Sequence, residues 1–243
     1  MQSKYLFIIL TILVGCSPKT SQEISEKATY SKKSKSIRLY KKAISKDSKN
    51  VEPYWRIGNH YYNSKDFTKA IGWFNKAITI DSAFNEGYLF GDRAQCKEEL
   101  GDYYGAIEDY GIALSLCVDT FVTTPRENWC FYRARVELKI GDTISALIHT
   151  DSALYYWNSF PRARYQKARL LVIRGNYQDA IPYYEGLLDP SFADDKEFLE
   201  DVFYKGVLKF NIGDTSFCSY WKAAASNKYQ KANEYILRYC TYK

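Results

Sequence analysis

The sequence predicts an all-α protein built from repeated helical hairpins. Three observations predict it. Turn pairs recur at Gly101-Asp102, Gly141-Asp142, Gly175-Asn176 and Gly213-Asp214, spaced 40, 34 and 38 residues apart. Small side chains return at fixed offsets around each pair. The composition, with 46% apolar residues, 23 Tyr and only 6 Pro in 243 residues, suits long amphipathic helices better than strands and turns.

Each element of the pattern has a physical reason. Gly takes the left-handed conformation that ends a helix, and the Asp or Asn after it caps the free N–H groups of the next. Five residues after each Gly stand Ala106, Ala146, Ala180 and Cys218; seven residues before stand Ala94, Ala134, Ala168 and Gly206. An earlier unit matches with Gly58, Lys65-Asp66 and Ala70. These positions fall where the two helices of a hairpin cross, and a larger side chain there would hold the backbones apart. Two helical turns further on, on the same face, come Ala77, Ala113, Ala153 and Ala225, with Leu187 as the exception. Pro182 falls inside an expected helix and should bend it or sit near its first turn.

Read unit by unit, residues 51–84 carry Tyr54, Ile57, Gly58, Tyr61, Ala70, Phe74 and Ala77, with Ser82 at the end. Residues 87–120 carry Phe90, Ala94, Leu100, Ala106, Tyr110 and Ala113. Residues 127–160 carry Cys130, Ala134, Ala146, Thr150 and Ala153; residues 161–194 carry Ala168, Ala180 and Tyr184. A degenerate unit, 199–226, keeps Gly206, Cys218 and Ala225, and residues 36–49 read as a second helix whose first helix is lost. This pattern resembles the tetratricopeptide repeat, W-x-x-L-G-x-x-Y followed by A-x-x-x-F, an Ala and a Pro, over roughly 80% of the chain. The resemblance implies a right-handed superhelical α-solenoid over 36–243. One hairpin cannot bury its apolar face alone, so the last needs a cover. Residues 227–240 supply a capping helix, with Ala232, Tyr235, Ile236 and Tyr239 on one face.

The N-terminus reads as an export signal. Lys4 precedes an apolar run from Tyr5 to Val14, too short for the roughly 20 residues of a membrane-spanning helix. Leu13-Val14-Gly15-Cys16 resembles the bacterial lipobox. The resemblance implies removal of a signal peptide, 1–15, acylation of Cys16 and stable membrane anchoring through several acyl chains. A polar, flexible tether is expected over 16–35. The expected location is the cell envelope, lipid-anchored, at the outer membrane facing the periplasm. The cluster Lys32, Lys33, Lys35, Arg38, Lys41 and Lys42 reads either as a headgroup contact or as a solvated helix face.

Charge argues against nucleic acid. Residues 17–46 hold nine Lys/Arg against two Glu, while residues 47–243 hold 24 basic and 26 acidic side chains. The basic excess therefore belongs to the N-terminal region and not to the expected folded body. No cofactor, metal site or catalytic residue is expected. His60 and His149 are the only histidines and have no recognisable companions. There is no phosphate loop, H-E-x-x-H or C-x-x-C spacing. Glu98-Glu99 and Asp194-Asp195 are adjacent carboxylates, which on a helix point apart. Five cysteines besides Cys16 read as disulfide partners, Cys218 with Cys240 and Cys117 with Cys130, or as small buried hydrophobes.

Partner binding is therefore the expected function. The family resemblance implies that positions 2, 5, 9 and 12 of each repeat face a concave groove. Here these are Trp55, Asn59 and Tyr62; Gln95 and Glu98; Phe131 and Arg135; Arg162, Tyr165 and Arg169; Phe203 and Phe210. Arg grips carboxylates with paired hydrogen bonds, and aromatics offer rigid contact area; some of these rings, Phe131 and Phe210 first, read equally as inter-repeat core. The leading expectation is a membrane-anchored scaffold that binds a protein or peptide. Glycan binding and an accessory role in an envelope enzyme complex are the alternatives.

Overall fold

In the computed structural model, residues 19–29, 33–117, 126–185 and 199–240 are described, and they form thirteen helices with no strand among them. The chain divides into two units, 1–116 and 117–243. The first contains α1 (Ser21–Thr29), α2 (Lys33–Lys46), α3 (Glu52–Asn63), α4 (Phe67–Ile80), α5 (Tyr88–Glu99) and α6 (Tyr103–Leu116). The second contains α7 (Arg126–Lys139), α8 (Thr143–Tyr156), α9 (Pro161–Ile173), α10 (Tyr177–Tyr184), α11 (Leu199–Asn211), α12 (Phe217–Ser226) and α13 (Gln230–Tyr239). Each unit is thus three consecutive hairpins, and the second ends with an extra helix. Among the described residues no helix is long and apolar enough to cross a membrane.

Five of the hairpins close with one turn. Lys65, Gly101, Gly141, Gly175 and Gly213 all have positive φ, between 60° and 84°. The N–H of the following residue reaches back to the carbonyl five residues earlier, at 2.9 Å in every case. This pairing satisfies carbonyls that a helix end would otherwise leave open. Lys65 adopts the same conformation without glycine's freedom. After the turn, Asp66, Asp102 and Asp142 accept from the backbone N–H three residues on, at 3.2, 3.0 and 3.0 Å. Asp214 accepts from Ser216 N–H at 2.9 Å. Asn176 makes no such side-chain cap.

The small residues are the deepest positions. Ala70, Ala77, Ala94, Ala106, Ala113, Ala134, Ala146, Ala153, Ala168 and Ala180 are all fully buried. A side chain on Gly58 would place its Cβ 2.5 Å from the Phe74 ring, and one on Gly206 would lie 2.6 Å from the Trp221 indole. Around these contacts the first unit packs Val51, Phe74, Leu89 and Cys96, with Ala28, Tyr40 and Ile57 in a second cluster. The second unit packs Leu171, Val172, Tyr184 and Val202, and beside them Phe203, Trp221, Ala224 and Ala232. In the degenerate hairpin the fully buried small residue is Ala224, one place before the expected Ala225.

One expectation needs correction, and two that left alternatives open are narrowed. The segment expected as a tether, 16–35, is helical over Ser21–Thr29 and supplies the first helix expected to be lost before 36–49. Its hairpin with α2 buries Ile24 and Ala28, and Ser21 Oγ donates to the Ala43 carbonyl at 3.0 Å. Pro182 lies in the last turn of the eight-residue α10, not near its first. Cys117 and Cys130 are both buried thiols with no disulfide between them. Cys218 and Cys240 are joined by a disulfide, Cα–Cα 5.9 Å, which links α12 to the residue that ends α13. Residues 1–15, Cys16, Lys32, Leu187 and Asp194-Asp195 lie outside the described residues.

Candidate partner-binding cleft

A cleft of about 730 Å³ opens in the second unit. The helical repeat builds it. Phe131, Arg135 and Leu138 recur at i, i+4 and i+7 on α7, so they share a face. Arg162, Gln166, Arg169 and Ile173 recur at i, i+4, i+7 and i+11 on α9 and share another. Leu199, Glu200, Asp201 and Tyr204 on α11, with Tyr229, complete the lining. The first helices of three successive hairpins therefore turn one stripe each into a common depression.

Charge in the cleft is mixed and positive. Arg135, Lys139, Arg162 and Arg169 line it against Glu200 and Asp201. Arg169 is mostly buried and pairs with Glu200; its Nε lies 3.8 Å from Asp201 Oδ1. Burial works against the Arg169 charge, but Asp201 and Glu200 outweigh it and hold the guanidinium's pKa above its ordinary value. Burial likewise pushes the Tyr229 phenol up, with the Glu200 charge adding to it. Arg135 lies over the Tyr132 ring at 4.8 Å, a cation–π contact that pre-orients it. Phe131 is buried against Phe160, ring centres 5.2 Å apart, so it is both wall and core.

This architecture has relatives. A tetratricopeptide-repeat family model matches residues 31–83. Translocon at the outer membrane of chloroplasts 64 from Pisum sativum is 36% identical over 94 residues, 39% of this chain and 14% of that protein. The Hsp70/Hsp90 co-chaperone CNS1 of Saccharomyces cerevisiae is 31% identical over 86 residues, 34% of this chain and 20% of that one. The chain thus matches only a small part of each curated relative. Among solved structures, that of Pseudomonas aeruginosa pilF superposes with a TM-score of 0.72 at 14% identity, covering 90% of this chain and 99% of that one. The structure of YrrB, described as a TPR protein with an unusual peptide-binding site, gives 0.61 at 15% identity over 82% and 97%. Residues 31–83 thus carry a tetratricopeptide repeat, and the chain shares the fold of tetratricopeptide-repeat proteins.

Within its repeats, the side chains expected to face a groove separate into three groups. Arg135, Arg162 and Arg169 line the cleft. Tyr165 and Phe203 do not; both are buried in core clusters. Tyr165 stands one place before Gln166, and that 100° rotation about the helix carries its ring off the cleft face into the core. Phe210 also leaves the groove, packing against Phe217, Trp221 and Tyr239 at the C-terminal end. Glu98 is buried within its own hairpin, where Tyr110 OH donates to Glu98 Oε2 at 3.5 Å.

In the first unit, Trp55, Asn59, Tyr62 and Gln95 tie one repeat to the next. Trp55 Nε1 donates to Asp92 Oδ2 at 2.6 Å, and Tyr62 OH donates to Gln95 Oε1 at 3.0 Å. With its amide turned to suit both neighbours, Asn59 donates to Asp92 Oδ2 at 3.2 Å and accepts from Trp55 Nε1 at 3.0 Å. Burial raises the Asp92 carboxyl to about 6, against the pull of the Trp55 and Asn59 hydrogen bonds. Asp109, 1% exposed, is held by Arg93 at 2.7 Å and Lys97 at 3.0 Å.

Gln166 is one of the cleft residues that sequence reasoning missed, with Glu200, Asp201, Tyr204 and Tyr229. A neutral amide on an Arg- and Tyr-rich helix carries no compositional signal. Its spacing from Arg162 and Arg169 was the only available clue. His149 Nδ1 lies 2.8 Å from the buried Glu137 carboxylate, which also takes Arg133 at 3.0 Å, and His60 meets the Tyr61 ring edge-on. Among the described residues no cluster of three His, Cys, Asp or Glu is arranged to hold a metal ion.

Proposed function

We propose that this protein is a scaffold that captures an extended segment of a protein partner in the cleft of its second unit, while a lipid on Cys16 anchors it to a membrane of the cell envelope. The cleft carries the binding half of the reading. Three successive repeats present Arg135, Arg162 and the aromatic wall of Phe131 and Tyr204 to one volume large enough for several residues of a peptide. Aromatic walls supply contact area that needs little ordering, and guanidinium groups supply direction. The short apolar run and Leu13-Val14-Gly15-Cys16 support the anchor, and a periplasm-facing outer-membrane site follows from that reading. The role is non-catalytic in this account: Arg169 pairs with Glu200 and Arg135 lies over the Tyr132 ring, so these groups serve packing and binding.

The full-length protein is tested as bait for random heptapeptides displayed on phage. Arg135→Glu combined with Arg162→Glu should lower enrichment at least about tenfold, equal to about 1.4 kcal/mol, with an unchanged helical circular dichroism spectrum. Unchanged enrichment would remove the cleft as the binding surface. Arg169 is left intact because a third carboxylate beside Glu200 and Asp201 would unfold the site. For the anchor, the mass of the mature chain should lack fifteen N-terminal residues and carry acyl groups on Cys16; an intact N-terminus ends that half of the proposal.

A further inference from the structure

We infer that Gln166 reads a carboxamide side chain, Asn or Gln, on the segment bound in the cleft; this rests on the cleft being the binding surface. Gln166 sits at the middle of α9, lines the cleft and is only 2% exposed. Neither its Oε1 nor its Nε2 has a hydrogen-bond partner among the described residues. Buried amides are ordinarily satisfied, and each one that is not calls for a partner. A helix interior that wanted only bulk at this position would carry Leu or Met without that penalty.

The chemistry of the partner follows from the inventory of the amide. Oε1 accepts and Nε2 donates, side by side in one plane. A carboxylate only accepts, so it would face Oε1 with a second acceptor. A guanidinium or ammonium only donates, so it would face Nε2 with a second donor. A carboxamide offers one donor and one acceptor at the same spacing and closes a reciprocal pair. Burial of Gln166 narrows the choice further. The partner group must enter the floor of the cleft, which the end of a side chain does and a main chain flanked by its own side chains does not. Phe131 and Ile173 provide apolar walls for the methylene stem. The cations Arg135 and Arg162 then act on other parts of the segment.

A site built to hydrogen-bond a polar group discriminates strongly against an analogue that cannot return the bonds. Selection of the displayed heptapeptides on wild-type protein should therefore favour Asn or Gln over Asp or Glu at one position by at least about tenfold. Gln166→Leu and Gln166→Met should still enrich peptides but lose that preference, with a melting temperature equal to or above wild type. Enrichment with no Asn/Gln preference, or a preference that survives both substitutions, overturns the role of Gln166 and leaves the cleft standing. A loss of folding in both variants would overturn it too, because the amide would then be structural. If wild type enriches no more than the Arg135→Glu/Arg162→Glu variant, the cleft reading fails and this inference fails with it.

Discussion

The two units apply the same repeat geometry to different ends. In the first, the polar side chains on the first helices of successive repeats satisfy one another: Trp55 and Asn59 meet Asp92, and Tyr62 meets Gln95. In the second, the corresponding helices leave a cleft whose floor amide, Gln166, is not satisfied by its neighbours. The first arrangement fixes repeat against repeat beside a cleft of about 880 Å³ lined by Trp55, Arg56 and Phe84, and the second leaves a buried amide unpaired in its own cleft. The difference is one of side-chain pairing, since the turns, caps and buried alanines are shared by both.

The largest effect that would sharpen this contrast is confined to the second unit. Replacing Cys218 and Cys240 together by Ala, or reducing their bond, should destabilise it by about 3 kcal/mol, the chain-entropy value for a loop of this size. Urea unfolding followed by hydrogen exchange should show amides of α11 to α13 losing protection while those of α3 to α6 keep theirs; equal loss in both would break the comparison. A smaller effect belongs to the first unit. The Asp92 carboxyl is raised from 3.8 to about 6, so between those values the folded chain holds a proton that the unfolded chain has released. Stability should then fall as pH rises from about 4 to about 6, by about 1 to 2 kcal/mol. Asp92→Asn, which keeps an acceptor for Trp55, should flatten that slope; an unchanged pH profile would refute the burial of this charge. The smallest effect is the stability change of Gln166→Leu, about 1 kcal/mol or less and not destabilising, read from the same urea curves. A large loss there would make the two units alike.

Much of this fold was legible because its signals are local. A left-handed turn, a capping carboxylate and an alanine at a helix crossing each act within a few residues, so Gly141, Asp142 and Ala146 announce a hairpin without knowledge of the rest. Ser21–Thr29 escaped notice for the opposite reason. Its buried face is Ser21, Ile24, Ser25 and Ala28, and two serines in a core read from sequence as solvent-exposed. The cleft face was legible only to within one residue. Arg135, Arg162 and Arg169 fall on it, but Tyr165 and Phe203 are rotated into the core, since repeat numbering fixes a helix's phase less sharply than packing does. Gln166 became visible only once the missing partners of its amide could be counted.

The repeated turn has a consequence for how the chain acquires its shape. Each is sealed by a hydrogen bond spanning five residues, and each hairpin closes within a few dozen, so contacts of short sequence separation dominate. Chains of this kind fold fast and in pieces, with nucleation possible at any hairpin and growth outward from it. A single hairpin still leaves its apolar face open, so each one gains its stability as its neighbour packs against it. The Cys218–Cys240 bond is then a late event, sealing the growing end once its last two helices have met.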